Sequence, residues 1–318
     1  MKWVAALLAA ALLLAGTAGC GGSGAEPGAP VGATLVLDFT PNAVHSGIYA
    51  AQHNGFYRDA GIDLTIRQPG ESTDAPKLLG AGRAEFAILD IHDLGIAREH
   101  GLDLVGLMPL VQRPLAAVLA RRDSGVARPR QLEGHTVGVT GLPSDEAVVD
   151  SEVSADRGDP ARVKRLTIGF DAVSSLAAGK VAAATGFWNA EGVALRHRGI
   201  PIRIFKVNRY GAPPYPELVL VATQETVDEE PDLVSSMVKA TRRGYEQAVR
   251  NPGEALDDLV AEVPSLNRAE QAAQLRVLRP DLHPAPFDIG VLREWARWDL
   301  EHGLLEQPLE VDAAFAEP

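Results

Sequence analysis

The sequence predicts an α/β protein built as two lobes, joined by two crossover strands, with a ligand cleft between them. Strand and helix patterns alternate along most of the chain, as in sheets whose strands are connected through covering helices. The alternation runs through two successive units, and an apolar segment, Glu217–Ala222, then returns the chain to the first. The 318 residues suffice for two lobes of ordinary domain size. Crossings are expected near Leu115–Arg121 and near Tyr215–Val221. The first lobe is then discontinuous, residues 33–117 with 216–318, and the second covers 118–215. A cleft between lobes is a usual seat for a small ligand, and closure would be a hinge motion at the crossings.

Each element follows from local pattern. Leu35–Asp38 reads as a strand, and His45–Ala60 as one helix stopped by Gly61. Ile62–Arg67 is a strand, and Thr73–Gly82 a helix capped by Ser72, Thr73 or Asp74 with Pro76 in its first turn. Phe86–Leu89 is a short buried strand, Ile91–His100 a helix ended by Gly101, and Leu104–Met108 a strand. Leu115–Ala120 is the first connecting strand. The second unit runs through the strand His135–Thr140, a helix Ser144–Asp156 with Ser144 as cap, and the strand Val163–Ile168. Helix Val173–Gly179, strand Ala182–Gly186, helix Val193–Arg198 and strand Ile202–Val207 complete it. After Glu217–Ala222 the tail is helical, at Pro231–Arg250, Pro252–Val263, Arg268–Leu278 and Phe287–His302.

The N-terminus reads as an export signal. Lys2 supplies a positive charge, and Val4–Ala15 is an apolar run too short to span a bilayer. Gly16-Thr-Ala-Gly-Cys20 resembles a bacterial lipoprotein cleavage site, which makes 1–19 a signal peptide and Cys20 a lipidated N-terminus anchoring the chain to the outer face of the cell membrane. Residues 20–32, rich in Gly, Pro, Ser and Ala, read as a tether. Cys20 is the single cysteine, so no intrachain disulfide can form. The formal charge of −12 comes without a basic stripe, which argues against nucleic acid as a partner.

Candidate site residues cluster at strand ends. The turn at Pro41–Asn42 follows the first strand, where ligands bind in open α/β sheets. Asn42, His45 and Ser46 put uncharged hydrogen-bonding groups there. Asp90 fits either a helix cap or a pocket acid. Trp295 and Trp298 sit at helical spacing and read as core. Leu79-Gly-Ala-Gly82 lacks the dinucleotide fingerprint, and His197, His283 and His302 lack metal-ligand spacing. No cofactor or metal is expected.

Four segments carry a family resemblance: Asp38–Tyr49 with Gly55-Phe-Tyr57 and Gly61–Leu64; Leu79–Ile88; Gly179–Glu191; and Tyr210–Val219. In this order they resemble the ThiY-like solute-binding proteins of ABC importers, which take a thiamine-precursor pyrimidine and are related to sulfonate- and taurine-binding proteins. The eukaryotic enzyme that makes the thiamine pyrimidine shares the pattern. The resemblance implies the type II periplasmic-binding-protein fold, a monomer, and permease and ATPase subunits as partners. It also implies a pyrimidine pocket at Asn42 and His45, with Phe39 where the family usually has Trp. By the same match Trp188 would stack on a flat ring and Glu191 would accept from its amine. His92 matches the histidine that the eukaryotic enzyme consumes, and Tyr210 and Tyr215 flank the return crossing, able to close over a ring. Each also fits a plainer role: Trp188 in the lobe interface, Glu191 at a helix N-terminus, His45 and His92 in capping or packing, the tyrosines bracing Pro213-Pro214. Riboflavin and sulfonates remain alternative ligands, the latter wanting an arginine or helix N-terminus. An enzyme of the pyrimidine-synthase kind is disfavoured, because its cysteine-rich iron-binding segment has no counterpart here.

Overall fold

A computed structural model describes residues 29–69 and 75–318. The leader, Cys20 and the caps expected at Ser72, Thr73 or Asp74 lie outside the described residues. The chain runs β1 (Val31–Val36), α1 (Ser46–His53), α2 (Phe56–Asp59), β2 (Ile62–Arg67), α3 (Ala75–Gly80), β3 (Phe86–Asp90), α4 (Ile91–Glu99) and β4 (Leu104–Pro109). It crosses into β5 (Ala116–Arg121), β6 (Thr136–Val139), α5 (Pro143–Ala155), β7 (Lys164–Thr167), α6 (Ala172–Ala177), β8 (Ala183–Phe187), α7 (Glu191–His197) and β9 (Ile202–Lys206). It returns through β10 (Leu218–Thr223) to α8 (Gln224–Glu229), α9 (Pro231–Arg250), α10 (Pro252–Glu262), α11 (Arg268–Leu278), α12 (Ile289–Glu301) and α13 (Val311–Ala314).

Two five-stranded sheets result, ordered β2-β1-β3-β10-β4 and β7-β6-β8-β5-β9. In each, one strand arrives from the other lobe and inserts antiparallel. β10 lies between β3 and β4, and β5 between β8 and β9. The two crossovers are therefore stitched into the sheet interiors. The expected lobe boundary at 117 falls within β5.

The cores follow the two-residue period of the strands. Leu35, Leu37, Phe86, Ile88, Leu119 and Leu220 belong to one buried cluster, while Val36, Ala87, Leu89, Val118 and Val221 belong to the other. These strands are covered on both faces, which is why they read as continuous apolar runs.

Several elements differ from the sequence reading. The single helix expected over His45–Ala60 is a 3-10 turn at Ala43–His45, then α1, then α2, because Gly55 adopts φ 72° and breaks the run. Ser144 is not the cap of α5; Leu142 holds that position and Pro143 begins the helix. β1 starts at Val31, inside the expected tether, and pairs there with Ile62. α8 and α13 were not anticipated; just past α13, Phe315 bridges to Gly106 at the edge of the first sheet.

Candidate ligand-binding site

Between the lobes lies a cleft open to solvent, whose envelope, solvent space included, encloses about 1000 Å³. Its wall is made where parallel strands end: Asp38 and Phe39 after β1, Asp90 closing β3, Thr140 after β6, and Thr185, Gly186 and Phe187 of β8. Strand ends converge on this place because the helices that follow them open it to a ligand.

The chemistry of the wall is one-sided. Asp38, Asp90 and Asp93 of the first lobe and Asp145 and Glu191 of the second line the cavity, and no Lys, Arg or His stands among the described lining residues. The five residues between Pro69 and Ala75 add none. Burial pushes Asp90 well above the usual carboxylate range, and the nearby charge of Glu217 adds to this. Burial pushes Asp93 up to about 6. It also raises Asp145, against hydrogen bonds from Thr140, and Glu191, against the hydrogen bond its Oε2 accepts from the Phe187 N–H at 2.9 Å. Taking several charges out of water together is costly unless an opposite charge or donor joins them. Among the described residues no group of His, Cys, Asp and Glu has the arrangement of a metal site.

Aromatic groups face one another at this site. Phe39 of the first lobe and Phe170 of the second meet edge to face, with ring centroids 5.2 Å apart and planes at 64°. Phe170 remains 40% exposed. Behind the cavity, Glu217 fastens the two crossovers together: its carboxylate accepts from the Leu115 and Ala116 N–H groups. Burial pushes it up to about 7.

The family model described as NMT1/THI5 like matches residues 42–255, two thirds of the chain. The chain belongs to the NMT1/THI5-like family. It is 32% identical to a formylaminopyrimidine-binding protein of Halalkalibacterium halodurans, over 89% of this chain and 88% of that one. It is 25% identical to a 4-amino-5-hydroxymethyl-2-methylpyrimidine phosphate synthase of Legionella pneumophila, over 73% and 74%. Among solved structures, the alkanesulfonate-binding protein SsuA of Xanthomonas axonopodis pv. citri, bound to MOPS, superposes with a TM-score of 0.75 at 14% identity, covering 91% of this chain and 99% of that one. That likeness establishes the periplasmic-binding-protein fold, type II.

In this NMT1/THI5-like protein four of the expected residues line the cavity: Phe39, Asn42, Asp90 and Glu191. Asn42 also caps the turn before α1, its Oδ1 accepting from the Val44 N–H, and Asp90 caps α4, accepting from the His92 N–H. The other five do not reach the wall. His45 is fully buried; its Nδ1 accepts from the Asn42 N–H, so its Nε2 carries the proton donated to Asp38 at 2.8 Å. It positions Asp38 instead of facing the cleft. His92 and Tyr215 are buried beneath it, edge to face at 4.8 Å, and His92 pairs with Asp299. Trp188 packs at the hinge, its indole N–H donating to the Pro114 carbonyl and the Lys206 ammonium lying 3.2 Å from its ring centroid. Tyr210 packs its ring against Phe205.

Sequence reasoning missed Asp38, Asp93, Asp145, Phe170 and Asn189. Asp38 and Asn189 stood in motifs already singled out, each beside a chosen position, and Asp93 directly follows His92. Phe170 lies in the loop after β7, where only the fold brings it opposite Phe39.

Proposed function

We propose that this protein is an extracytoplasmic solute-binding lipoprotein of an ABC importer, and that its ligand is a small flat heteroaromatic amine of the thiamine-precursor pyrimidine type. The observation that carries this reading is the acidic cleft, five carboxylates with no basic residue among the described lining. An amine or protonated ring nitrogen is stabilised there by charge-assisted hydrogen bonds, and Phe39 and Phe170 offer faces to a flat ring. A sulfonate would find no basic residue among the described lining to receive it. The identity to the formylaminopyrimidine-binding relative supports the same reading. With Cys20 as its single cysteine, the chain supplies no cysteine-rich iron segment for a synthase of the eukaryotic kind. The protein acts as a monomer that closes on its ligand at the paired crossovers and delivers it to permease and ATPase subunits.

Glu191→Gln keeps the acceptor for the Phe187 N–H but removes a charge. It is expected to weaken binding of an aminopyrimidine about tenfold or more, the worth of a charge-assisted bond of roughly 1.5–3 kcal/mol, and to leave taurine binding unchanged or improved. Calorimetric titration with aminopyrimidine, riboflavin and taurine checks this; tighter taurine than aminopyrimidine binding by wild type contradicts it. For the anchor, a mature N-terminus at lipid-bearing Cys20 is expected by mass spectrometry in the native host, and a mature chain beginning elsewhere contradicts it.

A further inference from the structure

The turn between β8 and α7 holds a residue whose chemistry the fold does not use. Asn189 is only 1% exposed and lines the cavity. Neither its Nδ2 nor its Oδ1 has a hydrogen-bond partner among the described residues. A buried amide left without partners costs as much as several ordinary hydrogen bonds contribute, so such groups are rare and call for an explanation. The turn around it is held firmly. The Ala190 N–H donates to the Phe187 carbonyl, the Phe187 N–H donates to Glu191, and the Trp188 N–H donates to Leu115 across the hinge. The side chain is therefore held at the wall of the cavity by a rigid backbone, with its amide N–H donors and its acceptor oxygen free, while Glu191, two residues on, brings a carboxylate to the same wall.

We propose that Asn189 is a specificity-determining residue, which reads a ligand edge presenting an acceptor beside a donor by one donated and one accepted hydrogen bond. The inference rests on the aminopyrimidine reading and deepens it. A 4-aminopyrimidine has that edge in its ring nitrogen next to the exocyclic amine, the same pairing by which a carboxamide reads adenine. The ring's other nitrogen is then left for the carboxylates. A rigidly held carboxamide loses little freedom on binding, which favours affinity.

The test compares 4-amino-2-methylpyrimidine with 4-amino-2-methylpyridine, which lacks the ring nitrogen beside the amine-bearing carbon. Dissociation constants for both are measured on wild type, Asn189→Leu and Asn189→Ala, with the melting temperature of each ligand-free protein. Comparing the ratio of the two constants between proteins cancels the difference in ring basicity. The preference for the pyrimidine is expected to fall on the order of tenfold in both variants. The ligand-free Asn189→Leu protein should melt at or above the wild-type temperature, because an unpaired buried amide has been removed. An unchanged ratio overturns the proposal. So does a lower melting temperature in both variants with the ratio preserved, which would assign Asn189 to the fold. If wild type binds the pyridine well and the pyrimidine poorly, Asn189 is not the reader although the amine reading stands. If wild type binds neither probe, the aminopyrimidine reading itself falls, and this inference with it.

Discussion

Asp299→Ala is expected to lower the unfolding free energy by about 3–5 kcal/mol, the cost of removing one member of a buried ion pair. Asp299 is fully buried on α12, with its two oxygens 2.7 and 2.9 Å from His92 Nδ1. Burial alone would push the imidazole down, but Asp299, and after it Asp90, override burial and raise it to about 9. The pair clamps α12 to the start of α4, directly beneath Asp90. The sign of the pH dependence follows. Because the folded value of about 9 exceeds the ordinary 6.5, the stabilisation is complete below pH 6.5 and is lost as pH rises through 9. The loss is at most about 1.4 kcal/mol per pH unit. Asp93 at about 6 and Glu217 at about 7 also hold protons more tightly in the folded state than their ordinary 3.8 and 4.5, so the stability they contribute is complete at low pH and is lost as pH rises through about 6 and 7, mostly below the window of His92, in wild type and variant alike. The stability difference between wild type and Asp299→Ala should therefore shrink from pH 6.5 to pH 9 in urea unfolding. A difference that stays constant over that range contradicts a charged pair.

Gly244→Ala should be about as damaging, for a steric reason. α1 and α9 pack so closely that a Cβ at Gly244 would stand 2.0 Å from the Gly47 carbonyl oxygen and 2.8 Å from Ala51 Cβ. On the facing helix a Cβ at Gly47 would stand 2.4 Å from the Tyr245 ring. The obstacle at Gly244 is backbone, which no rotamer change relieves, so the helices must separate. Overpacking costs about 1–3 kcal/mol and occasionally more, and the upper end is expected here. The damage reaches the cleft, since the Tyr245 hydroxyl donates to the Val44 carbonyl at 2.9 Å, in the turn that carries Asn42 and positions Asp38 through His45. Gly253, in α10 with nothing within 4 Å of where a Cβ would stand, is the control, and Gly253→Ala should be neutral or stabilising by up to about 1 kcal/mol. Chemical denaturation of both variants checks the contrast; equal stabilities contradict close helix packing.

Much of the fold was legible because it rests on local signals. Pro231–Arg250 begins at a proline in its first turn and carries a strong apolar stripe, and its bounds are the expected ones. Ile62–Arg67 follows a glycine at φ 79° and was equally plain. Gly55 was harder, because a lone glycine inside a helical pattern is ambiguous until its backbone is seen to be left-handed. The cleft was legible at Asn42, Asp90 and Glu191, which close or follow strands whose ends face the ligand. It was not legible at Trp188 or His92. An aromatic or histidine beside a strand end points to the cleft or the core according to the two-residue period and the hinge contacts, and a motif match does not separate these. Trp188 went to the hinge because the Pro114 carbonyl takes its N–H. His92 went to the core because Asp299, more than 200 positions later, is there to receive it.

The acidic cleft is the centre of the functional account, and the ligand that fills it in the cell tests it most directly. Protein purified without added ligand, denatured and examined by mass spectrometry should release a small flat heteroaromatic carrying an amine or protonatable ring nitrogen. Release of a sulfonate or another anion would contradict the account, because the described wall of the cleft holds no basic residue to receive one.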